Sequence, residues 1–237
     1  MDRLHLSQHI SRQFGNEIEE LRRQVLAMGG LVEEQLDAAL NALDRSDPVD
    51  PALIEGRERR INAAELAIDE QCVSIIARRQ PAASDLRLVL AIMKMLNDLE
   101  RIGDEAKRVA RIGERLAGVP STADVDANLL ALGSLVLAML RDALDAFVRL
   151  DEGPALATMR RDAEVDASWR RLQEALVERM QQAPDAIPAE LDRLWCARSF
   201  ERIGDRCKNL CEFVLYVVHG KDVRHSGLAK PGRGPGP

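Results

Sequence analysis

Two carboxylates spaced four residues apart occur twice in this chain, in nearly the same setting. Glu100 and Asp104 lie in the run Asn97-Asp98-Leu99-Glu100-Arg101-Ile102-Gly103-Asp104-Glu105-Ala106-Lys107. Glu201 and Asp205 lie in Arg198-Ser199-Phe200-Glu201-Arg202-Ile203-Gly204-Asp205-Arg206-Cys207-Lys208. The offset is 201 − 100 = 101 residues, and the five residues Glu-Arg-Ile-Gly-Asp are identical. On a helix, residues i and i+4 share a face, so each pair sets like charges side by side at a cost of about 0.2–0.5 kcal/mol. A costly pair present in both copies asks for a counter-charge. That is either a cation held between helices or a basic side chain of the chain itself. Both readings are open on the residues alone, because Lys107 and Arg108 are in reach of Asp104, and Lys208 of Asp205. An all-carboxylate set, completed by an amide or by water, suits Mg²⁺, Mn²⁺, Ca²⁺ or iron better than zinc–thiolate chemistry.

Two other segments present similar pairs. Glu58, Asn62, Glu65 and Asp69 follow one another at steps of four, three and four, a continuous polar line on one helix, and Asp162 and Asp166 repeat the four-residue step on another. Taking Leu99, Ile102 and Ala106 as a core face puts Glu100 and Asp104 on the flank of that stripe. Gly103 and Gly204 sit inside helical patterns, where glycine costs about 1 kcal/mol relative to alanine. Their presence in both copies points to close approach of another helix or a ligand beside the acids.

Signs of catalysis are missing from the pattern. The four histidines, His5, His9, His219 and His225, lie near the ends, and no Glu-x-x-His pair of the di-iron bundle type occurs. There is no glycine-rich phosphate loop, nucleophile elbow or HExxH. The expectation is a protein that is not an enzyme. The alternative is a metal-binding carboxylate helical bundle with an enzymatic or purely structural role.

The elements that must carry these acids are helices. The 237 residues are 46% hydrophobic, 30% charged and only 3% aromatic, which predicts an aliphatic core inside long helices. A net charge of −6 argues against a nucleic-acid partner. Apolar residues at 14, 18, 21, 25, 28, 32, 36, 39/40 and 43 form one helical stripe, broken at Asp47-Pro48. Asp50-Pro51 reads as an N-cap with proline at N1, and that helix stops before Pro81. Ser84 or Asp85 is expected to cap a third helix that ends at Gly118-Val119-Pro120, and Thr122 or Asp124 a fourth reaching Leu150. A fifth is expected from Gly153-Pro154 to Gln181, then a loop bracketed by Pro184 and Pro188, then a sixth to His219. No segment alternates as a strand does.

The reading is an all-α protein of two tandem three-helix bundles, residues 1–119 and 120–219, related by a pseudo-two-fold internal repeat, with a Gly/Pro-rich flexible tail at 220–237. Cys72, Cys196, Cys207 and Cys211 read as small buried apolar residues. The opening MDRLHLSQHI lacks a signal-type apolar core, and the longest apolar stretch, Leu129 to Leu140, is twelve residues against the roughly 20 a membrane span needs. A soluble, cytoplasmic protein is expected.

Several stretches resemble the PhoU family: Arg78-Arg79-Gln80-Pro81-Ala82-Ala83-Ser84-Asp85-Leu86-Arg87, Leu99 to Asp104, and Cys196 to Cys207. So does the opening from His9-Ile10-Ser11 to Met28-Gly29-Gly30, and the likeness runs in register from residue 1 to about 225. The resemblance implies a non-catalytic, cytoplasmic negative regulator of phosphate uptake and of the phosphate-starvation two-component response. Its implied partners are the ATPase subunit of the phosphate ABC transporter, the phosphate-sensing histidine kinase and a second copy of itself, with the membrane reached only through partners. It also implies divalent metal (Mg, Mn, Fe or Zn) at acidic E(D)xxxD motifs. Carried over, these fall on Glu100 and Asp104, Glu201 and Asp205, Asp162 and Asp166, and Glu58 and Asn62. Asn62 stands where relatives have an acid, a weaker neutral ligand, so the half holding Asp162, Asp166, Glu201 and Asp205 is the first candidate for metal. Arg101 and Arg202, beside the motifs, are candidate anion holders.

Overall fold

The computed structural model describes residues 12–44, 50–120 and 123–221. The Asp47-Pro48 break, the Thr122 cap, His5, His9, His225 and all but the first two residues of the expected tail lie outside the described residues. The elements are α1 (Arg12–Asp44), α2 (Pro51–Arg79), α3 (Ala83–Leu116), α4 (Ala123–Arg149), α5 (Glu152–Gln182) and α6 (Ile187–His219). Among the described residues there is no strand.

Local chemistry sets the ends. Asp50 accepts a hydrogen bond from the Ala52 N–H at 2.8 Å, and Pro51 fills the first position of α2, where no N–H is needed. At its other end Gln80 turns left-handed at φ 47° and donates to the Ile76 carbonyl, and Pro81 cannot continue the helix. Three expected boundaries are corrected. Helix α3 starts at Ala83 without a side-chain cap, and Asp85 instead sits in the first turn, where it complements the positive helix end. Asp151, not Gly153-Pro154, opens α5, accepting from the Gly153 N–H at 3.0 Å. The expected loop between Pro184 and Pro188 is a 3-10 turn over Pro184–Ala186 that runs straight into α6, with Pro188 in its first turn. Proline tolerates that place because its missing N–H would have had no partner there.

Helices α3 and α6 form the centre. Helix α3 packs on α1, α2 and α6; α6 packs on α3, α4 and α5; α1 also meets α4. The buried cluster is mainly aliphatic, with Phe147, Phe200 and Phe213 among it, and continuous across both triplets, leaving α2 and α5 on the outer flanks. A reciprocal contact displays the pseudo-two-fold. Gly29 of α1 lies under Leu144 of α4, and Gly133 of α4 lies under Leu40 of α1. The offsets agree, 133 − 29 = 104 and 144 − 40 = 104. A Cβ at Gly29 would fall 2.6 Å from Leu144 Cδ2, so the glycines set the helix separation.

Helix α4 reaches the length and mean hydropathy of a membrane span over Asp124–Arg149, more than the twelve-residue stretch suggested, but half of that window is buried among its neighbours. All four cysteines are free and buried, and burial pushes the Cys72 and Cys211 thiols up to about 12, as unreactive packing residues.

Candidate functional site

The acids gather in two clusters, one between α2 and α3 and one between α5 and α6. The two differ in what neutralises them.

In the first repeat, Glu58 of α2 is only 6% exposed. The fully buried Gln35 of α1 holds it, donating from Nε2 to Glu58 Oε2 at 2.9 Å and to the Gly103 carbonyl at 3.0 Å. Burial pushes the Glu58 carboxyl above its ordinary range; the Gln35 bond works against that, and Asp104 beside it adds to the rise. Burial also raises Glu100, reinforced by Asp104, Glu65 and Glu58, and raises Glu65, reinforced by Asp69 and Asp104. Glu58, Glu65, Glu100 and Asp104 therefore feel one another. Asn62 is exposed, and the second acid reaching the cluster from α2 is Glu65, two turns beyond Glu58. The polar line on α2 held that signal, since a seven-residue step returns to the same face. Lys107, the nearest lysine in sequence, spends its ammonium on Glu55 at 3.1 Å.

In the second repeat, Asp162 and Asp166 of α5 face Glu201 and Asp205 of α6. Two cations of the same helix enter this cluster. Lys208 Nζ sits 2.5 Å from Asp162, and Arg198 sits 2.6 Å from Glu201 while lying over the Trp169 ring at 5.8 Å. Burial raises Glu201 and Asp205, with Arg198 and Lys208 respectively opposing the rise and the neighbouring acids adding to it.

The repeat explains the contrast. Gly103 lets Ile61 come close, to 3.2 Å from where a Cβ would stand, and Gly204 does the same for Val165 at 3.0 Å. Ile61 and Val165 are thus equivalent, 165 − 61 = 104, which pairs Glu58 with Asp162, Glu65 with Trp169 and Glu55 with Met159. With no acid at 159, Lys208 turns inward to Asp162. With Glu55 present, Lys107 pairs with Glu55 instead of Glu58.

Among the described residues, no three His, Cys, Asp or Glu side chains converge as a ready metal site. The half expected to bind metal first already holds an ammonium and a guanidinium. Arg202, a candidate anion holder, is engaged by Glu105 at 3.1 Å; Arg101 is exposed.

A third charged feature escaped the sequence reading. Where α3 crosses α6, Asp98 pairs with Arg206 at 3.0 Å, and Glu105 accepts from Ser199 at 2.7 Å and from Arg202. Burial lifts the Asp98 carboxyl even though Arg206 pulls it down. Asp98 and Ser199 are equivalent positions (199 − 98 = 101), as are Glu105 and Arg206 (206 − 105 = 101). The repeats carry opposite halves of a complementary seam, visible only when the repeats are compared for difference.

The PhoU domain profile matches residues 25–113 and 129–214, one copy over each triplet. The chain belongs to the PhoU family. It is 47% identical over 229 residues to the phosphate-specific transport system accessory protein PhoU of Serratia marcescens, spanning 96% of this chain and 93% of that one. The protein of the same name from Escherichia coli K12 is 46% identical, over 96% of this chain and 94% of that one. The crystal structure of PhoU from Pseudomonas aeruginosa superposes with a TM-score of 0.84 at 44% identity, covering 88% of this chain and all (100%) of that one. The phosphate transport system regulatory protein PhoU from Streptococcus pneumoniae gives 0.81 at 31%, covering 89% and 99%. These matches settle the all-α fold and its tandem repeat as those of PhoU proteins.

Proposed function

We propose that this chain is a non-catalytic, cytoplasmic regulator of phosphate uptake that also restrains the phosphate-starvation response when phosphate is plentiful. The observation that carries the reading is near-full-length identity of 46–47% to proteins named as accessory to phosphate-specific transport. In this reading the chain couples the ATPase subunit of the phosphate ABC transporter to its sensor histidine kinase and acts as a homodimer. It reaches the membrane only through those partners and has no nucleic-acid partner. Coupling requires it to bind one state of each partner better than the other, since a ligand with equal affinity for two states shifts neither.

The first acidic cluster is the face we assign to that work. Among the described residues no cation forms an ion pair with these four acids, and Lys107 and Arg101 offset their charge only in part, so an incoming basic side chain or a loosely held divalent cation (Mg, Mn, Fe or Zn) relieves the repulsion among Glu58, Glu65, Glu100 and Asp104. The second cluster carries its own cations and supports the α5–α6 packing. The test is a phosphate-starvation reporter read in phosphate-rich medium. Deleting the gene switches the reporter on, and restoring it switches the reporter off. A reporter indifferent to the deletion overturns the regulatory reading.

A further inference from the structure

The end of the α3–α6 pair beside the first acidic cluster carries a surface that the fold does not require. The first turns of α6 expose Ile187, Leu191 and Trp195, at 37%, 41% and 53%. Steps of four residues line them up over about 12 Å of one helix face. Next to Trp195 lies a depression of about 460 Å³, bordered on α3 by Asp104, Lys107, Arg108, Arg111, Ile112 and Arg115. The chain as a whole is negative, yet four of the five ionisable groups bordering this depression are cations.

Those cations are available. The side chains of Arg108, Arg111 and Arg115 are 49%, 58% and 56% exposed, resting on Glu105, Glu55 and Asp192. Each guanidinium carries five N–H donors and its own carboxylate takes at most two or so, so a carboxylate arriving from outside can share the exposed remainder. The equivalent surface at the other end of the α3–α6 pair is different. Subtracting 101 from 187, 191 and 195 gives Leu86, Leu90 and Lys94; adding 101 to 108, 111 and 115 gives Asn209, Glu212 and Tyr216. There Lys94 lies over the rings of Phe213 and Tyr216 at 6.0 and 5.4 Å, and none of the three positions equivalent to the arginines is basic. One scaffold, used twice, carries an apolar stripe beside an arginine row at one end only.

We propose that this groove docks an acidic amphipathic helix of a partner protein. Apolar side chains of that helix lie on Ile187, Leu191 and Trp195, and its carboxylates lie on Arg108, Arg111 and Arg115. Spacing of four along the stripe matches the anchor spacing of a helix seated in a groove. Tryptophan and arginine are the side chains that carry most binding energy at such contacts. Asp104 marks one end of the depression, which orients the docked helix with its positive N-terminal end toward the first acidic cluster. The proposal goes beyond the regulatory reading, because it concerns the chemistry of the docked segment, whichever protein supplies it.

The experiment uses the full chain in cells, with a photo-reactive phenylalanine analogue in place of Trp195 and, as a control, in place of the exposed Leu66 on α2. The expected result is a cross-link from position 195 only, mapped by mass spectrometry to an acidic helical segment of another protein. Arg111→Glu with Arg115→Glu should cut its yield about tenfold, the loss of roughly 1.4 kcal/mol of binding, with helicity unchanged by circular dichroism. As a second readout, the mapped segment made as a peptide shifts Trp195 fluorescence in purified Trp169→Phe protein, and the charge reversal abolishes the shift. Cross-links to a second copy, to lipid or to nucleic acid, no cross-link, or a yield indifferent to the charge reversal all overturn the proposal. A silent deletion strain counts against the regulatory reading alone, since the mapped cross-link does not depend on it.

Discussion

The two acidic clusters descend from one pattern and have opposite internal economies of charge. In the α5–α6 cluster, Lys208 and Arg198 fold onto Asp162 and Glu201. In the α2–α3 cluster, the corresponding lysine pairs with Glu55, position 97 is an exposed asparagine, and the neutral group bonded to the acids is the Gln35 amide, with Lys107 and Arg101 acting on Glu58 and Glu100 without an ion pair to either. The lesson is that a repeated motif fixes position, while the residues around it decide whether the motif is a strut or a face. Met159 against Glu55, and Trp169 against Glu65, make that difference.

The largest expected effect comes from removing the strut. Lys208→Met leaves Asp162 buried without its ammonium and should cost about 2 kcal/mol, below the roughly 3–5 kcal/mol of a fully buried pair because the Lys208 side chain is 31% exposed, read as a lower midpoint in urea. The matched Lys107→Met should move the midpoint far less, because its partner Glu55 is solvated. Equal losses would erase the distinction. Next come the glycines. Gly204→Ala forces a Cβ to 3.0 Å from Val165, a β-branched side chain with little freedom, and should cost about 1–2 kcal/mol. Gly103→Ala meets the flexible end of Ile61 at 3.2 Å, and the better helix propensity of alanine offsets up to about 1 kcal/mol of the clash. Thermal melts of the two variants should rank in that order.

Much of this was legible in the sequence, and for identifiable reasons. Hydrophobic stripes and prolines gave six helices, and identical runs at 100–104 and 201–205 gave the repeat and the acidic pairs. Contacts between distant positions were not legible. Nothing local tells Lys208 to pair with Asp162 and Lys107 with Glu55, because the decision lies with residue 159 on α5 and residue 55 on α2. Motif spacing points to Asn62 on α2, and the two-turn period of the same helix brings in Glu65 as well, which the motif alone does not name. Pro188 read as a loop boundary because a proline in a first helical turn and a proline in a loop look alike until the helix start is known. The Asp98–Arg206 seam is hidden because it lies in what the repeats do not share: Ser199 stands where Asp98 does, and Glu105 where Arg206 does.

Smaller effects sharpen the contrast. Asp104→Asn should stabilise the protein at pH 7 by about 0.5 kcal/mol, by removing one of several like charges, while Asp205→Asn, which also loses attraction to Lys208 and Arg198, should gain nothing. The smallest effect is in pH. Glu58, Glu65 and Glu100 have folded-state pKa values above their unfolded 4.5, so the folded state holds protons that the unfolded state has released. Their contribution therefore rises as pH falls from 7 toward 4.5 and is lost as pH climbs through the folded values. Glu58→Gln with Glu100→Gln should flatten stability over that window, measured by urea melts at several pH values; an unchanged slope would place the titration elsewhere.

The central claim is that the first cluster is the working face and the second is structural. Its most direct test is the phosphate-starvation reporter in phosphate-rich medium, with four alleles side by side: wild type, the deletion, Glu58→Gln/Asp104→Asn, and Asp162→Asn/Asp205→Asn. The deletion and the first-cluster variant should leave the reporter on, while the second-cluster variant, if folded by circular dichroism, should keep it off. A first-cluster variant that represses as wild type does, beside a folded second-cluster variant that fails, would contradict it.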